Sequence, residues 1–331
     1  MTDIIIVTGG AGFIGSNIAA ALHGWNDCEI VVCDRLRTGQ KWRNLAKHLV
    51  TDFVAPAELP AFLDRAAGTV RAVVHMGAIS ATTATDVDLI VDTNIKFSAH
   101  LWEWCATAGV PLIYASSAAT YGDGARGFVD DNTPAALAEL RPLNAYGWSK
   151  HAFDRRIVDL VRRGRPRPPQ WVGLKFFNVY GPNEYHKGDM MSVVAKNHAA
   201  AAAGDTVRLF KSHRPDYAHG GQLRDFVYVR DCVSVVRWFL DHPEASGIFN
   251  VGSGEARSFR DLIEALYRAA GREPSIEYVD MPEVLRDRYQ YYTQADLSRL
   301  RAIGYDQPMT PLEEGVTDYV QSFLSQPDPY R

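Results

Sequence analysis

The stretch TGGAGFIGS, Thr8 to Ser16, constrains the fold of this chain more than any other. It follows a β-branched run, IIIVT, and opens a helical pattern from Phe13 to Leu22. Gly9, Gly12 and Gly15 stand at G-x-x-G-x-x-G spacing. Glycine permits the tight turn and the close approach of backbone to ligand, and the helix N-terminus stabilises a pyrophosphate. A glycine turn alone is weak evidence. Here the second run, EIVVCD, ends in Asp34, about 20 residues after the glycines, where a carboxylate binds the adenosine ribose. Strand, turn, helix and acid together point to a dinucleotide site.

The first half continues in the same rhythm. AVVHMG (Ala72 to Gly77), PLIYASS (Pro111 to Ser117) and WVGLKFF (Trp171 to Phe177) alternate with longer helical patterns, among them Val87 to Ala108. Such alternation predicts βαβ units on a parallel sheet covered on both faces. After Asn178 the rhythm breaks into two polar stretches, GPNEYHKGDM and KSHRPDYAHGGQLRD, of the kind that line sites or lie exposed. A strand-like FVYV with a following helix then completes the sheet, and IFNVGSGE reads as a strand, turn and helix start. The expected fold is α/β: a Rossmann-type doubly wound parallel sheet from residues 1–176 and 223–250, with a smaller α/β substrate domain from 177–222 and 251–331. The basic, proline-rich RRGRPRPPQ links a helix to a strand and reads as an exposed connector.

Composition narrows the partners. With 35 basic and 39 acidic residues dispersed along 331, the net charge of −4 favours neither nucleic acid nor an anionic membrane. Cys28, Cys33, Cys105 and Cys232 form no C-x-x-C pair and read as reduced core residues, so no metal is expected. No run approaches the roughly 18 apolar residues that span a bilayer, and no leader pattern is visible, which predicts a cytoplasmic protein with a small-molecule partner.

The segment after Asp34, RLRTGQK, bears on the cofactor. Arg35, Arg37 and Lys41 suit a 2′-phosphate, whereas Asp34 suits free ribose hydroxyls; the residues alone leave NADP and NAD open. Asp52 and Phe53 are candidate adenine neighbours, although a surface acid beside a core aromatic fits equally well. Further on, NAYGWSK sets Tyr146 and Lys150 on one helix face. A phenol with an ordinary pKa of about 10 is a poor base at neutral pH, and a nearby ammonium favours its phenolate. The preceding strand ends at Ser117, near the carboxyl edge of the sheet, where ligands of such folds bind.

These pieces resemble the extended short-chain dehydrogenase/reductase superfamily, which acts on nucleotide sugars. The resemblance covers essentially the whole chain. It rests on IVTGGAGFIGSNI, YASSAATYG, RPLNAYGWSK, FFNVYGPNEYHKGDM, QLRDFVYV, SGIFNVGSG and RYQYYTQADL, and it is strongest to the branch whose substrate is an ADP-linked heptose. It implies that Phe13 and Ile14 flank the pyrophosphate, that Asp34, Arg35 and Lys41 hold the adenosine ribose and 2′-phosphate of NADP, and that Met76, Gly77, Ala78, Ile79, Ser80, Asn94 and Val179 adjoin the cofactor. It assigns catalysis to Ser117 and Tyr146, with Lys150 on the nicotinamide ribose. Substrate contacts fall to Ser117, Asn178, Asp189, Lys196, Phe210, Lys211, Ser212, His213, Arg224 and Tyr289. A homo-oligomer is implied, with a pentamer as one form.

Lys187 aligns with a second acid/base that also adjoins the cofactor. The chemistry explains the need. Direct proton abstraction from an unactivated carbinol carbon yields an unstabilised carbanion, whereas transient oxidation yields a ketone that rotates and accepts hydride on its other face. Rotation carries the oxygen out of reach of its first partner, so a second group is required. A UDP-hexose 4-epimerase, the competing reading, shares Ser117, Tyr146 and Lys150 but has no use for Lys187. A 4,6-dehydratase needs an acid pair after the serine, which SSAATYG does not offer. The chain departs from the family pattern at Asp189, where a small hydroxyl residue is expected, at Lys196, where histidine is expected, and at Arg35, where a neutral residue is usual.

Overall fold

The computed structural model describes residues 3–24, 28–286 and 289–331. Among the described residues twelve strands are formed: β1 Asp3–Thr8, β2 Cys28–Cys33, β3 Asp52–Val54, β4 Val70–His75, β5 Leu112–Ser117, β6 Trp171–Phe176, β7 Asn178–Tyr180, β8 Val207–Phe210, β9 Leu223–Tyr228, β10 Gly247–Val251, β11 Ala256–Ser258 and β12 Ile276–Val279. Seven of them make a parallel sheet in the order β10-β6-β5-β4-β1-β2-β3. The chain runs outward from β1 through β2 and β3, then returns to place β4 on the other side of β1. Ligands of such sheets bind at that reversal, outside the carboxyl ends of the strands.

The strand around Phe226 does not complete this sheet. β9 lies in a separate three-stranded sheet between β11 and β7, and the seventh parallel strand is β10. Both are short and almost wholly buried, so their hydrophobicity carries no record of which neighbour each pairs with. β8 and β12 form a separate two-stranded parallel ladder.

Two apolar cores result. One surrounds the large sheet, with Ile5, Ile6, Val73, Val74, Ile113 and Val172 fully buried. The other gathers Phe13, Tyr180, Tyr228, Leu266 and Tyr319. Ile14 and Val179 pack against both.

Three helices carry site residues. Phe13–His23 leaves the glycine turn. Residues 87–108 form one helical run, as the periodicity predicts, but with a π-helical segment at Val91–Lys96. Such a segment widens the helix by one residue per turn and is common at functional sites. Ala145–Arg162 starts at Asn144, whose side chain accepts from Gly147 N at 2.8 Å, and buries Gly147, Lys150, Asp154 and Ile157 along one face. The connector from Arg162 to Arg167 is exposed. Among the described residues no disulfide is formed, and Cys33, Cys105 and Cys232 are buried. Among the described residues no helix is long and apolar enough to cross a membrane, and no cluster of side chains suits a metal.

Candidate active site

A cleft of about 320 Å³ opens over the carboxyl ends of β1, β4 and β5. Its floor is the glycine turn. Gly9 has φ +65°, and a Cβ there would lie 2.6 Å from Gly77 N; one on Gly15 would lie 2.2 Å from Gly9 O. Only bare backbone lets the turns after β1 and β4 touch, which leaves a concave surface of main chain suited to a pyrophosphate. His75 braces the same contact. Its ring meets Thr8 Oγ1 at 2.5 Å and Ser98 Oγ at 2.8 Å, and Gly77 N donates to Thr8 Oγ1 at 3.2 Å. Burial pushes the imidazole down to about 3, so it is neutral and acts purely as a hydrogen-bonding spacer.

At the ribose end, Asp34 Oδ2 accepts from Ala11 N at 2.9 Å, while Oδ1 meets Lys41 Nζ at 2.5 Å and Arg35 N at 2.6 Å. The acid is thus tied both to the glycine turn and to a cation.

The Tyr146 end of the cleft is built by close packing of helix on turn. Gly147 brings the helix so near the turn after β5 that a Cβ would lie 2.7 Å from Ala119 O. Ser117 caps that turn, its Oγ accepting from Ala119 N at 3.1 Å. The hydroxyl proton is left for Tyr146, and this hydrogen bond lowers the phenol against the larger upward push of burial. Ser117 thus supplies a favourable pull on the phenolate. Lys150 is 3% exposed, and burial lowers its ammonium to about 8 against the opposing pull of Asp154.

Lys187 enters from another element, a 3-10 turn at Tyr185–Met190, with Nζ 5.0 Å from the centre of the Phe13 ring. Burial lowers its pKa, Glu184 raises it and Lys196 lowers it again. Glu184 is fully buried and accepts from Ser192 Oγ at 2.7 Å, Gly181 N at 3.3 Å and Tyr319 Oη at 3.2 Å, so it clasps both ends of the Lys187 loop. Tyr146 and Lys187 therefore approach one cleft from different elements.

Of the expected cofactor residues, Gly9, Gly12, Phe13, Ile14, Gly15, Asp34, Lys41, Met76, Gly77, Ala78, Ser80, Tyr146, Lys150, Val179 and Lys187 line this cleft, as does Ser117. Arg35, Ile79 and Asn94 do not. Arg35 is exposed. Asn94 is fully buried and spends its amide on Ile79 N at 2.8 Å, Ile79 O at 3.0 Å and Ser149 Oγ at 3.0 Å, bracing the wall from behind. Asp52 and Phe53 are both exposed and lie off the cleft; Phe53, at 52% exposure, is no core aromatic.

The expected substrate residues outside Ser117 do not line the cleft. Several meet one another on its far side. The guanidinium of Arg224 lies 5.3 Å from the centre of the Tyr289 ring, and Phe210 is 6.5 Å from that ring. Gln222 Nε2 donates to Phe210 O and Lys211 O at 3.3 Å, and Tyr291 Oη accepts from His213 N at 2.9 Å, which fixes the segment holding Ser212. Lys211 pairs with Asp280 at 3.2 Å. An aromatic ring beside a buried guanidinium suits a base and its phosphates. Asn178 is exposed at the start of β7. Asp189 and Lys196, the two departures, contact each other: Lys196 Nζ donates to Asp189 O.

Sequence reasoning missed the polar layer beneath the catalytic residues. Asp154 accepts from Tyr114 Oη at 3.1 Å and Ser116 Oγ at 2.7 Å and lies 3.5 Å from Lys175 Nζ, which donates to Thr120 Oγ1 at 2.7 Å. The signal was a lysine inside the apolar run WVGLKFF, with Asp154 one helical turn beyond Lys150. His186 and Met190 also line the cleft unforeseen.

Residues 5–252 match the NAD dependent epimerase/dehydratase family. A protein of Nitratidesulfovibrio vulgaris named ADP-L-glycero-D-manno-heptose-6-epimerase is 49% identical over 330 residues, spanning 98% of this chain and 99% of that one. The crystal structure of Helicobacter pylori ADP-L-glycero-D-manno-heptose-6-epimerase superposes with a TM-score of 0.78 at 29% identity, over 97% and 96% of the two chains. Thermus thermophilus UDP-glucose 4-epimerase, solved with NAD, superposes at 0.74 with 28% identity, over 95% and 96%.

Proposed function

The chain belongs to the NAD dependent epimerase/dehydratase family, and from that premise we propose that it converts ADP-D-glycero-D-manno-heptose to ADP-L-glycero-D-manno-heptose by transient oxidation at C6″. One observation carries this reading: Tyr146 and Lys187 line a single cleft from different elements, the helix Ala145–Arg162 and the turn Tyr185–Met190, and a ketone that turns over between two hydride transfers requires two such groups.

When bound, a nicotinamide dinucleotide would supply the hydride acceptor for C6″ and the hydride donor to the other face. All else falls to the chain. Gly9, Gly12 and Gly15 hold the pyrophosphate, and Lys150 the nicotinamide ribose. Tyr146, supported by Ser117, takes or gives the hydroxyl proton in one orientation of the sugar. Lys187, its pKa lowered by burial and by Lys196, serves the other. Arg224, Tyr289 and the segment from Phe210 to His213 receive the nucleotide, with Asn178, Asp189 and Lys196 at the sugar. NADP is the proposed cofactor, supported by the Lys41 ammonium on Asp34 with Arg35 beside it. The enzyme works as a cytoplasmic homo-oligomer supplying heptose for the lipopolysaccharide core.

The test is proton NMR of the purified protein with ADP-D-glycero-D-manno-heptose and no added cofactor. Conversion to the L-glycero epimer is expected, with Tyr146→Phe and Lys187→Met each slowing it by about 10²- to 10⁴-fold. A folded, cofactor-bearing protein that leaves the heptose unchanged would redirect the assignment to UDP-hexoses. Mass spectrometry of the extracted dinucleotide decides NADP against NAD.

A further inference from the structure

The two walls of the cleft are far apart in sequence and are joined by a third segment that the mechanism does not use. The side-chain amide of Asn183 donates to Ser16 Oγ at 3.0 Å, and that of Asn17 to Pro182 O at 2.9 Å, so the Lys187 loop touches the first helix directly. Arg331 closes the joint. Its backbone N–H donates to Asn183 Oδ1 at 2.9 Å and its guanidinium to Asn17 Oδ1 at 3.1 Å, so one residue is bonded to both walls.

Asn183 is fully buried and sits at φ +73°, a left-handed conformation that few residues other than glycine adopt readily. Without residue 331 its Oδ1 loses this donor in a site shut off from water, a costly omission. Tyr185, two residues before Lys187, is gripped by the same segment: its hydroxyl donates to Pro329 O at 2.8 Å, and its ring stands 5.2 Å from that of Tyr330. The far side of the segment is anchored to the stretch that follows Lys41. Lys47 Nζ donates to Tyr330 O at 2.5 Å, and the Arg43 guanidinium lies 4.7 Å over the Tyr330 ring.

We infer that Tyr330 and Arg331 are positioning residues that lock the Lys187 loop to the glycine turn and thereby hold the dinucleotide in the cleft between turnovers. The inference rests on the epimerase reading, in which the hydride is returned and the cofactor has no need to leave. Neither residue touches the reacting atoms; each acts through Asn17, Asn183 and Tyr185.

The test compares purified holoenzyme with a Tyr330→Ala/Arg331→Ala variant, reading the dinucleotide retained per chain after gel filtration and the affinity for NADP⁺ by fluorescence titration. Affinity about tenfold weaker is expected, equivalent to about 1.4 kcal/mol, with conversion in dilute solution restored by added NADP⁺. Wild-type retention and affinity would overturn the inference, as would lost conversion that added NADP⁺ does not restore. Should the double variant fail to fold, Tyr185→Phe removes the one hydroxyl that bonds Pro329 O and Tyr319. It is expected to weaken affinity about threefold, and unchanged affinity again overturns the inference. A wild type that carries dinucleotide but leaves the heptose unchanged defeats the proposed substrate and leaves this retention test standing; one that carries NAD⁺ changes only the ligand titrated.

Discussion

Lys150 is the residue at which pH separates function from stability. Its ammonium, ordinarily at 10.5, is lowered to about 8 by burial. Between those values the unfolded chain keeps a proton that the native one has released, so this residue makes stability rise with pH from about 8 to 10.5. In the proposed role at the nicotinamide ribose, its charge would be lost over the same range. Turnover should therefore fall as pH rises through about 8, while Tm corrected for other groups does not fall with it, and Lys150→Arg should move that limb upward. Asp154 makes a second prediction at this scale. It is fully buried beside the equally buried Lys175, and breaking such a pair strands a charge. Asp154→Ala should cost about 3–5 kcal/mol in denaturant unfolding, and Lys175→Met should cost less, because Asp154 keeps the hydroxyls of Tyr114 and Ser116. Asp154 and Lys175 escaped the sequence reading because an acid on a helix and a lysine in a strand carry no mark of facing each other until β5 and β6 are paired beneath that helix.

Elements meet here by backbone contact, and two glycines set the distances. Gly147 holds the catalytic helix against the turn bearing Ser117, so Gly147→Ala, which puts a Cβ 2.7 Å from Ala119 O, should push Tyr146 away from Ser117. We expect kcat to fall about tenfold or more with KM little changed, measured by the same NMR assay. Gly9→Ala combines φ +65° with a Cβ 2.6 Å from Gly77 N; about 1–3 kcal/mol of strain should appear in calorimetry together with loss of bound dinucleotide. Most elements were legible, since IIIVT, EIVVCD, AVVHMG, PLIYASS and WVGLKFF each became a parallel strand. The π-helical segment at Val91–Lys96 was not, because one extra residue barely disturbs helical periodicity. Nor was the exchange of β9 for β10 in the large sheet, since two short buried strands look alike in hydrophobicity.

In the whole molecule the cleft lies where the two apolar cores touch, at Ile14 and Val179. A dinucleotide held there contributes to the stability of both, so stripping it should lower Tm, and adding NADP⁺ at about 100 times its Kd should restore about 2.7 kcal/mol. The sequence by itself determined the parallel sheet, the glycine turn, the Tyr146/Lys150 helix face and the polar loop of Lys187. Each of these is written in short-range spacing, where side-chain period and permitted φ act within a few residues. Only the tertiary structure decided that Lys187 and Tyr146 line one cleft, that Phe210 and Arg224 gather at Tyr289, and that Arg331 reaches Asn17 and Asn183. The contacts among these join residues 65 to 314 positions apart in the chain, and the physical reason is closure: such partners are chosen by how whole elements pack, and neither residue carries a local preference for the other.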